Sequence, residues 1–323
     1  MEITAFDIAK ILKEQDNILL LCHIRPDGDT LGSAYALKYA LEARGKRVDV
    51  SVSDVIPPRL AFIGELEADK GGREAKNTFV CAIDVAQRNM LGANAEHNID
   101  MKIDHHEISE KFAPVCLIEP DAAACGEIIY EVIRELEKID GATLTKASAT
   151  ALFCALSSDT GCFKYSNVTA KTMRIAADLI DAGADNYDVN HRLYEVKTAG
   201  ELAAKRLMLN ETEYLLDGRV GILVITADFR KNSGADDDDI GSVVSDIREV
   251  QGIDLAITLK QDLKDLTKFK ISMRSSLKIN ASDLCALFGG GGHARAAGCS
   301  VTANSPDEAK KTVLDAVLPR ICG

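Results

Sequence analysis

Three short apolar runs in the first third of the chain each end in acidic or imidazole side chains. NILLLC (17–22) runs into His23, TFVCAID (78–84) ends on Asp84, and IDMKID (99–104) ends on Asp104 followed by His105-His106. Apolar runs of this length bounded by polar turns read as buried strands. Helical patterns alternate with them. Leu31–Ala43 closes at Gly45, and Pro57-Pro58 opens a helix to about Leu66. Further helices fall at Gly126–Ile139, Lys146–Ser157 and Thr169–Asp181, and Arg47–Ser53 alternates as another strand. Strands alternating with helices predict an α/β domain with a parallel sheet and helices on both faces. Ligands of such sheets bind beyond the carboxyl ends of the strands, which is where these acids and histidines fall.

The pattern changes near residue 185. Tyr187–Tyr194 and Thr198–Asn210 are helical with no strand between them. Strands follow at Arg219–Thr226, Asp254–Lys260 and Lys268–Arg274, with helices near Asp238–Val250, Ala281–Phe288 and Pro306–Leu318. A chain of 323 residues has the length of two domains. The expected division is 1–190 for the first, 191–210 for a connector helix, and 211–323 for a smaller C-terminal α/β domain. No apolar run approaches the roughly 20 residues that span a bilayer, and the first twenty residues lack the plan of a signal peptide. The expected location is cytoplasmic, without a membrane partner. Nine cysteines with no CxxC pair suit a reducing compartment and argue against a structural zinc site. A net charge of −12 lacks the basic face of a protein that coats long duplex nucleic acid. A small anionic ligand is compatible with it where metals or local cations neutralise the charge.

The stretch CHIRPDGDTLGS (22–33) follows the first strand and opens the first helix. In an extended loop Asp27 and Asp29 face the same side, and Gly28 between them removes bulk. Asp29 equally suits a helix N-cap, and a lone Asp84 at a strand end equally suits a turn. Adjacent histidines after Asp104 are rarer, and neutral imidazole is a common metal ligand. A fourth acidic position, Asp159, follows an apolar helical run in Ser158-Asp159-Thr160-Gly161. Carboxylates with a minority of imidazole suit Mn²⁺ or Mg²⁺. Four carboxylates would balance two divalent ions.

Near the C-terminus, Gly289–Gly298 (GGGGHARAAG) formally fits a dinucleotide fingerprint, but a helix precedes it and no βαβ unit follows. The glycines read either as a plain turn or as a turn whose backbone lies against a phosphate. Lys268, Lys270 and Arg274 share one strand face, either as a solvated face or as an anion grip.

Together, His23-x-x-x-Asp27-x-Asp29, Asp84, Asp104-His105-His106 and Asp159 resemble the four metal motifs of the DHH phosphoesterase superfamily. Gly290-Gly291-Gly292-His293 with Ala296-Ala297-Gly298 resembles the signature of the associated DHHA1 domain. Chain length and Arg25-Pro26 are similar to the branch that hydrolyses nanoRNA and 3′-phosphoadenosine 5′-phosphate. The resemblance implies an N-terminal parallel-sheet DHH domain, a C-terminal DHHA1 domain, and an active site in the cleft between them. It implies that His23, Asp27 and Asp84 hold one metal, and that Asp29, Asp84, His105 and Asp159 hold a second. The ions implied are two Mn²⁺, with Mg²⁺ or another divalent ion as substitutes. His106 and Arg25 would be catalytic, with Asp104 orienting the histidines, and Arg274, Gly291, Gly292 and His293 would bind substrate. Arg295 falls in a variable slot. The expected reaction is hydrolysis of short oligoribonucleotides to mononucleotides, of 3′-phosphoadenosine 5′-phosphate to AMP, or of both, by a hydroxide bridging two metals. A cyclic- or linear-dinucleotide phosphodiesterase is the alternative on the same scaffold, and an inactive nucleotide-binding protein is the alternative of a different class. An exposed apolar face on the connector helices would support a homodimer.

Overall fold

Helix α1 (Ala5–Lys13), capped by the Thr4 side chain, leads into β1 (Asn17–Leu21). There follow α2 (Gly28–Glu42), β2 (Arg47–Ser51), a 3-10 segment (Pro58–Glu65), β3 (Phe79–Ile83) and a second 3-10 segment (Arg88–Glu96). Next come β4 (Met101–Asp104), β5 (Val115–Ile118), α3 (Cys125–Asp140), α4 (Lys146–Asp159), α5 (Ala170–Asp181) and α6 (Asn186–Asn190). This computed structural model describes residues 3–66, 78–237, 239–241, 243–276 and 278–321. The chain divides into two units, Met1–Val196 and Lys197–Gly323.

The five strands of the first unit are all parallel, in the order β2-β1-β3-β4-β5. Helical segments cover both faces, unequally. On one face Ile18, Leu20, Cys81, Ile83, Met101 and Ile103 pack with residues of α1 to α4. On the other, Leu21, Val80 and Ala82 meet a smaller set that includes Val85, Leu91 of the second 3-10 segment, Ile99 and Phe112. Helix α2 is buried all round: every residue but Tyr35 is inside. It can lie so deep because glycines face α4. A Cβ on Gly28 would stand 2.6 Å from Ser158 Cβ, and one on Gly32 would stand 2.5 Å from the Ala151 carbonyl oxygen. Lys38 of this helix is neutralised inside, 3.3 Å from Glu42, and donates to the Val48 carbonyl at 2.8 Å.

The second unit begins with α7 (Ala199–Glu211), β6 (Glu213–Leu215), β7 (Val220–Ile225), α8 (Ala227–Ser233) and α9 (Val243–Arg248). It continues with β8 (Leu255–Gln261), β9 (Lys268–Ser275), α10 (Ala281–Ala286), β10 (Gly291–His293), β11 (Ala296–Thr302) and α11 (Pro306–Ile321). The sheet is mixed, in the order β10-β11-β9-β8-β7-β6, with β7 and β8 its parallel pair. Phe269, Ile271 and Met273 face α10 and α11. On the opposite face α7 to α9 pack over β7 and β8 at Leu223, Ile225 and Ala256.

Several elements differ from the sequence reading. The helix expected at 57–66 is a 3-10 segment, and the one expected near 238–250 shortens to α9. The segment Gly289–Gly298, read as a turn, instead holds β10 and the start of β11. Their Gly-Gly-His and Ala-Ala-Gly residues carry too little side chain to produce an apolar alternation, yet they pair as a hairpin. No helix among the described residues is long and apolar enough to cross a membrane.

Candidate metal centre

Asp84 stands one residue past β3, where the chain turns through a left-handed conformation (φ 58°). The conformation costs a non-glycine residue on the order of 1–2 kcal/mol. It is held by the Asp84 N–H, which donates to the Ile103 carbonyl of the next strand at 2.9 Å. The carboxylate lies among three imidazoles. Oδ2 is 3.6 Å from His23 Nε2, and Oδ1 is 3.6 Å from both His105 Nε2 and His106 Nδ1. Oδ1 is buried with no hydrogen-bond partner among the described residues.

The histidines present defined nitrogens. His23 Nδ1 lies 2.8 Å from the Ile24 carbonyl, and His105 Nδ1 lies 3.1 Å from the Ala122 carbonyl. A carbonyl only accepts, so Nδ1 carries a hydrogen, and it is in the neutral ring that Nε2 offers a lone pair. His23 Nε2 is 3.7 Å from Asp27 Oδ2. His105 Nε2 is 3.6 Å from Asp29 Oδ2 and 3.3 Å from Asp159 Oδ2. His23, Asp27 and Asp84 therefore form one ligand-type group, and Asp29, His105 and Asp159 another, each with candidate ligand atoms within 4.8 Å of one another. Asp84 and His105 join the two and form a third such group with His106.

Backbone amides fix two of the carboxylates, Asp27 and Asp29. Asp27, rather than Asp29, is the N-cap of α2, its Oδ1 accepting from the N–H groups of Asp29 and Thr30 at 3.0 Å each. Asp29 instead crosses to the N-terminus of α3. There it accepts from Cys125 N–H at 2.7 Å and Gly126 N–H at 3.0 Å, with Ser33 Oγ donating at 3.0 Å. Those orphan amides and the positive end of α3 favour an anion. Thr30 Oγ1 donates to the Ile83 carbonyl at 3.0 Å, pinning α2 to the strand that carries Asp84. Asp159 is the last residue of α4, and Asn167 Nδ2 donates to its carbonyl at 3.1 Å and to that of Ala123 at 2.9 Å. Gly161, Cys162 and Phe163 after it are all left-handed.

The electrostatics call for a cation. Burial, then Asp84 and Asp159, push Asp29 well above the usual carboxylate range. Burial with Asp27 and Asp84 pushes Asp159 up to about 6 against the pull of His105. Burial alone would lower both imidazoles. The carboxylates around them instead push His23 and His105 up to about 11. Asp27, whose side chain is half exposed, stays below its ordinary value through His23 and two backbone N–H donors. The orphaned Asp84 oxygen and the clustered carboxylates fit a divalent ion bound through oxygen and nitrogen. Thiolate ligation does not fit, since burial pushes Cys22 up to about 12 and raises Cys125 and Cys154 as well.

His106 is turned differently. Its Nδ1 meets Asp104 Oδ1 at 2.7 Å, and Asp104 also accepts from the His105 N–H at 2.9 Å. The other oxygen of Asp104 takes Ser109 Oγ and lies 3.2 Å from Lys102 Nζ. Lys102 is fully buried and donates to the carbonyls of Ala86 at 3.1 Å and Glu110 at 2.8 Å. Sequence reasoning overlooked Lys102, although a lysine inside an apolar strand was a visible signal. Arg25 is left-handed (φ 52°) and exposed, with its N–H on Asp54 Oδ2 at 3.1 Å. It belongs to none of the ligand groups.

In the second unit, strand register sets His293 opposite Ala296 and Ala296 opposite Arg274. Directly paired residues point to the same side, so Arg274 and His293 share a face with only an alanine between them. Lys268 and Lys270 lie on that face too, exposed, while Phe269 and Ile271 point inward. Gly290 and Gly292 serve packing, since a Cβ would stand 2.3 Å from the Gly298 carbonyl oxygen or 2.6 Å from that of Ala296. Gly291 faces open space and is exposed. Arg295 donates to the Ser276 carbonyl and to the Ile279 carbonyl at 2.6 Å, which makes it a clamp on that loop.

Comparison with known proteins adds a family context. A model of the DHH family N-terminal domain matches residues 17–156, and one of the DHHA1 domain matches residues 219–318. The bifunctional oligoribonuclease and PAP phosphatase NrnA of Thermus thermophilus is 28% identical over 314 residues, spanning 96% of this chain and 92% of that protein. Its namesake from Bacillus subtilis is 25% identical over 317 residues, 96% of each. An exopolyphosphatase-related protein from Bacteroides fragilis has a crystal structure that superposes with a TM-score of 0.84 at 21% identity, covering 99% of this chain and 98% of that one. At that identity the likeness is one of fold.

Proposed function

The chain belongs to the DHH family, carrying a DHH N-terminal domain followed by a DHHA1 domain, and from that premise we propose that it is a phosphoesterase using two divalent ions. Its substrates would be short oligoribonucleotides, cut to mononucleotides, and 3′-phosphoadenosine 5′-phosphate, cut to AMP. The observation that carries this reading is the buried, unpartnered Asp84 Oδ1 between two ligand-type groups. Two relatives that match nearly the whole chain, both named bifunctional oligoribonuclease and PAP phosphatase, support the substrate class.

His23, Asp27 and Asp84 would hold one ion, and Asp29, His105 and Asp159 the other, with Asp84 shared; Mn²⁺ is the first candidate. Bound there, the ions would polarise the phosphoryl group and lower the pKa of water toward neutrality. The chain's own residues do the rest. His106, whose Nδ1 is taken by Asp104, has only Nε2 to offer a phosphoryl oxygen as that oxygen gains charge. Arg25, which is exposed, would add a positive charge. Arg274 and His293 would grip a second phosphate of the substrate, and Gly291, with no side chain, would let backbone approach it. A grip on a second phosphate of the substrate would favour short oligonucleotides and small bisphosphates over long strands.

The test is hydrolysis of a 5′-labelled RNA length ladder with and without Mn²⁺, alongside 3′-phosphoadenosine 5′-phosphate. Mononucleotide release confined to the shortest oligomers, with phosphate release from the bisphosphate, is the expected result. Inactivity on both substrates in metal-loaded protein overturns the reading.

A further inference from the structure

At one end of the second unit's sheet lies a cleft that the hydrolytic reading leaves without a role. Its volume is about 540 Å³, and its lining includes Arg219, Arg248, Ile253, Asp254, Ser276 and Lys278. Arg219 precedes β7, Asp254 precedes β8, and Ser276 follows β9, so three strand ends build one side. The C-terminus of α9, at Arg248, and the turn after it build the other.

The walls are tied together. The Asp254 N–H donates to the Arg219 carbonyl at 2.7 Å, and the Ser276 N–H donates to the Asp254 carbonyl at 2.8 Å. Arg295 holds the Ser276 carbonyl from behind. Ile253 is buried and gives the cleft an apolar wall.

Its charge is unbalanced. Three cations line it against one carboxylate, in a chain whose net charge is −12. That carboxylate is already spoken for: Asp254 accepts from Arg219 Nε at 2.8 Å and Ser276 Oγ at 3.1 Å, and it lies 3.6 Å from Lys278 Nζ. Arg219 holds it in the ionised form. The Arg248 guanidinium has no hydrogen bond or ion pair with any described residue. A guanidinium with open donors beside a second guanidinium and an ammonium is the donor set that phosphate oxygens fill best. The volume exceeds what inorganic phosphate needs and falls within the range of small-molecule sites.

We propose that this cleft binds a phosphomonoester of mononucleotide size, with Arg248, Arg219 and Lys278 on the phosphate and Ile253 against the apolar part. Neither Arg274 nor His293 lines it.

AMP and inorganic phosphate are the probes, and binding to the full-length, metal-loaded protein is the readout. An Arg274→Gln/His293→Gln background silences the proposed substrate grip. In that background AMP binds, inorganic phosphate competes with it, and Arg248→Gln with Lys278→Gln weakens AMP about tenfold or more. The Arg248 Nε–H resonance shifts on adding AMP. AMP binding that ignores both substitutions overturns the proposal, as does failure of phosphate to compete. Arg248→Gln/Lys278→Gln in an otherwise native chain leaves RNA hydrolysis at its original rate. Turnover and cleft occupancy are measured separately, so loss of one reading does not disguise loss of the other.

Discussion

Lys102 Nζ stands 3.2 Å from Asp104 Oδ2, and both side chains are wholly removed from water. The same carboxylate carries the His106 imidazole on its other oxygen. A cation buried on one side of the sheet thus fixes the angle of a histidine at the strand end. Lys102→Met leaves the buried Asp104 with His106 and Ser109 but without its lysine, and is expected to destabilise the fold by about 3 kcal/mol. Urea unfolding at pH 7 reads this. Burial lowers the Lys102 pKa, and Asp104 is held below the ordinary carboxylate range, where His106, Ser109 and Lys102 overcome its burial. A depressed acid stabilises above its unfolded pKa, near 3.9, and that stability is lost as pH falls through the folded value. The gap between wild type and Lys102→Met should therefore close under strong acid. A gap unchanged down to the acid transition would contradict this account.

Asp84→Asn keeps the side-chain shape, and asparagine tolerates the left-handed backbone. It removes the charge that both ligand groups share. Loss of a residue that merely supports a ligand costs roughly 10–100-fold in metal affinity or activity, so this substitution should cost more than about 100-fold in both. Metal content after dialysis and the hydrolysis rate measure it. Retention of two tightly held ions would argue that Asp84 is not shared.

The imidazoles of His23 and His105, pushed up to about 11, hold protons at neutral pH in the metal-free state. Ligation must displace them, so metal affinity should rise with pH and binding should release protons. Titration calorimetry in two buffers of different ionisation enthalpy counts them. The linkage has a second face. A raised histidine pKa stabilises the metal-free fold fully below the unfolded value, near 6.5, and that stability drains as pH rises toward about 11. Asp159, raised to about 6, shifts stability in the same direction at lower pH. The difference in Tm between metal-loaded and metal-free protein should widen from pH 6 to pH 9. A constant difference would refute the assignment.

Gly32→Ala places a methyl group 2.5 Å from the Ala151 carbonyl oxygen. Overpacking of this kind typically costs about 1–3 kcal/mol. Because α2 carries Asp29 and α4 ends in Asp159, metal affinity should fall although no ligand has changed. Gly291→Ala, which meets nothing within 4 Å, should leave stability alone. Thermal melts and metal titrations of the two variants separate packing from ligation.

Arg274 and Arg295 lie on adjacent strands or at their ends but should behave differently. Arg274→Gln is expected to raise KM about tenfold or more with the melting temperature preserved, as for loss of a charged hydrogen bond to phosphate. Arg295→Gln frees the Ser276 and Ile279 carbonyls and should lower Tm. The reverse pattern would move the phosphate grip from Arg274 to Arg295.

The sequence made the parallel sheet legible because buried strands read as continuous apolar runs. It made the ligand-type residues legible because strand ends are where a parallel sheet places its chemistry. Side-chain direction was less accessible. Which of Asp27 and Asp29 caps α2 depends on α3 offering two amides to Asp29, a contact made across nearly a hundred positions of chain. Lys102 escaped notice because its partners come from three separate loop positions. The hairpin of β10 and β11 escaped because glycine and alanine give no alternation to read.

Helix α2 is sheathed on every side, and Asp29 sits in its first turn. Its amides have no route to solvent short of the unit coming apart, so they should exchange hydrogen as slowly as the slowest in the first unit. Fraying cannot then loosen this end of the centre. Departure of an ion through motion of Asp29 would be as infrequent as unfolding itself, and metal exchange must proceed past Asp27 and Asp159, whose side chains are 49% and 28% exposed.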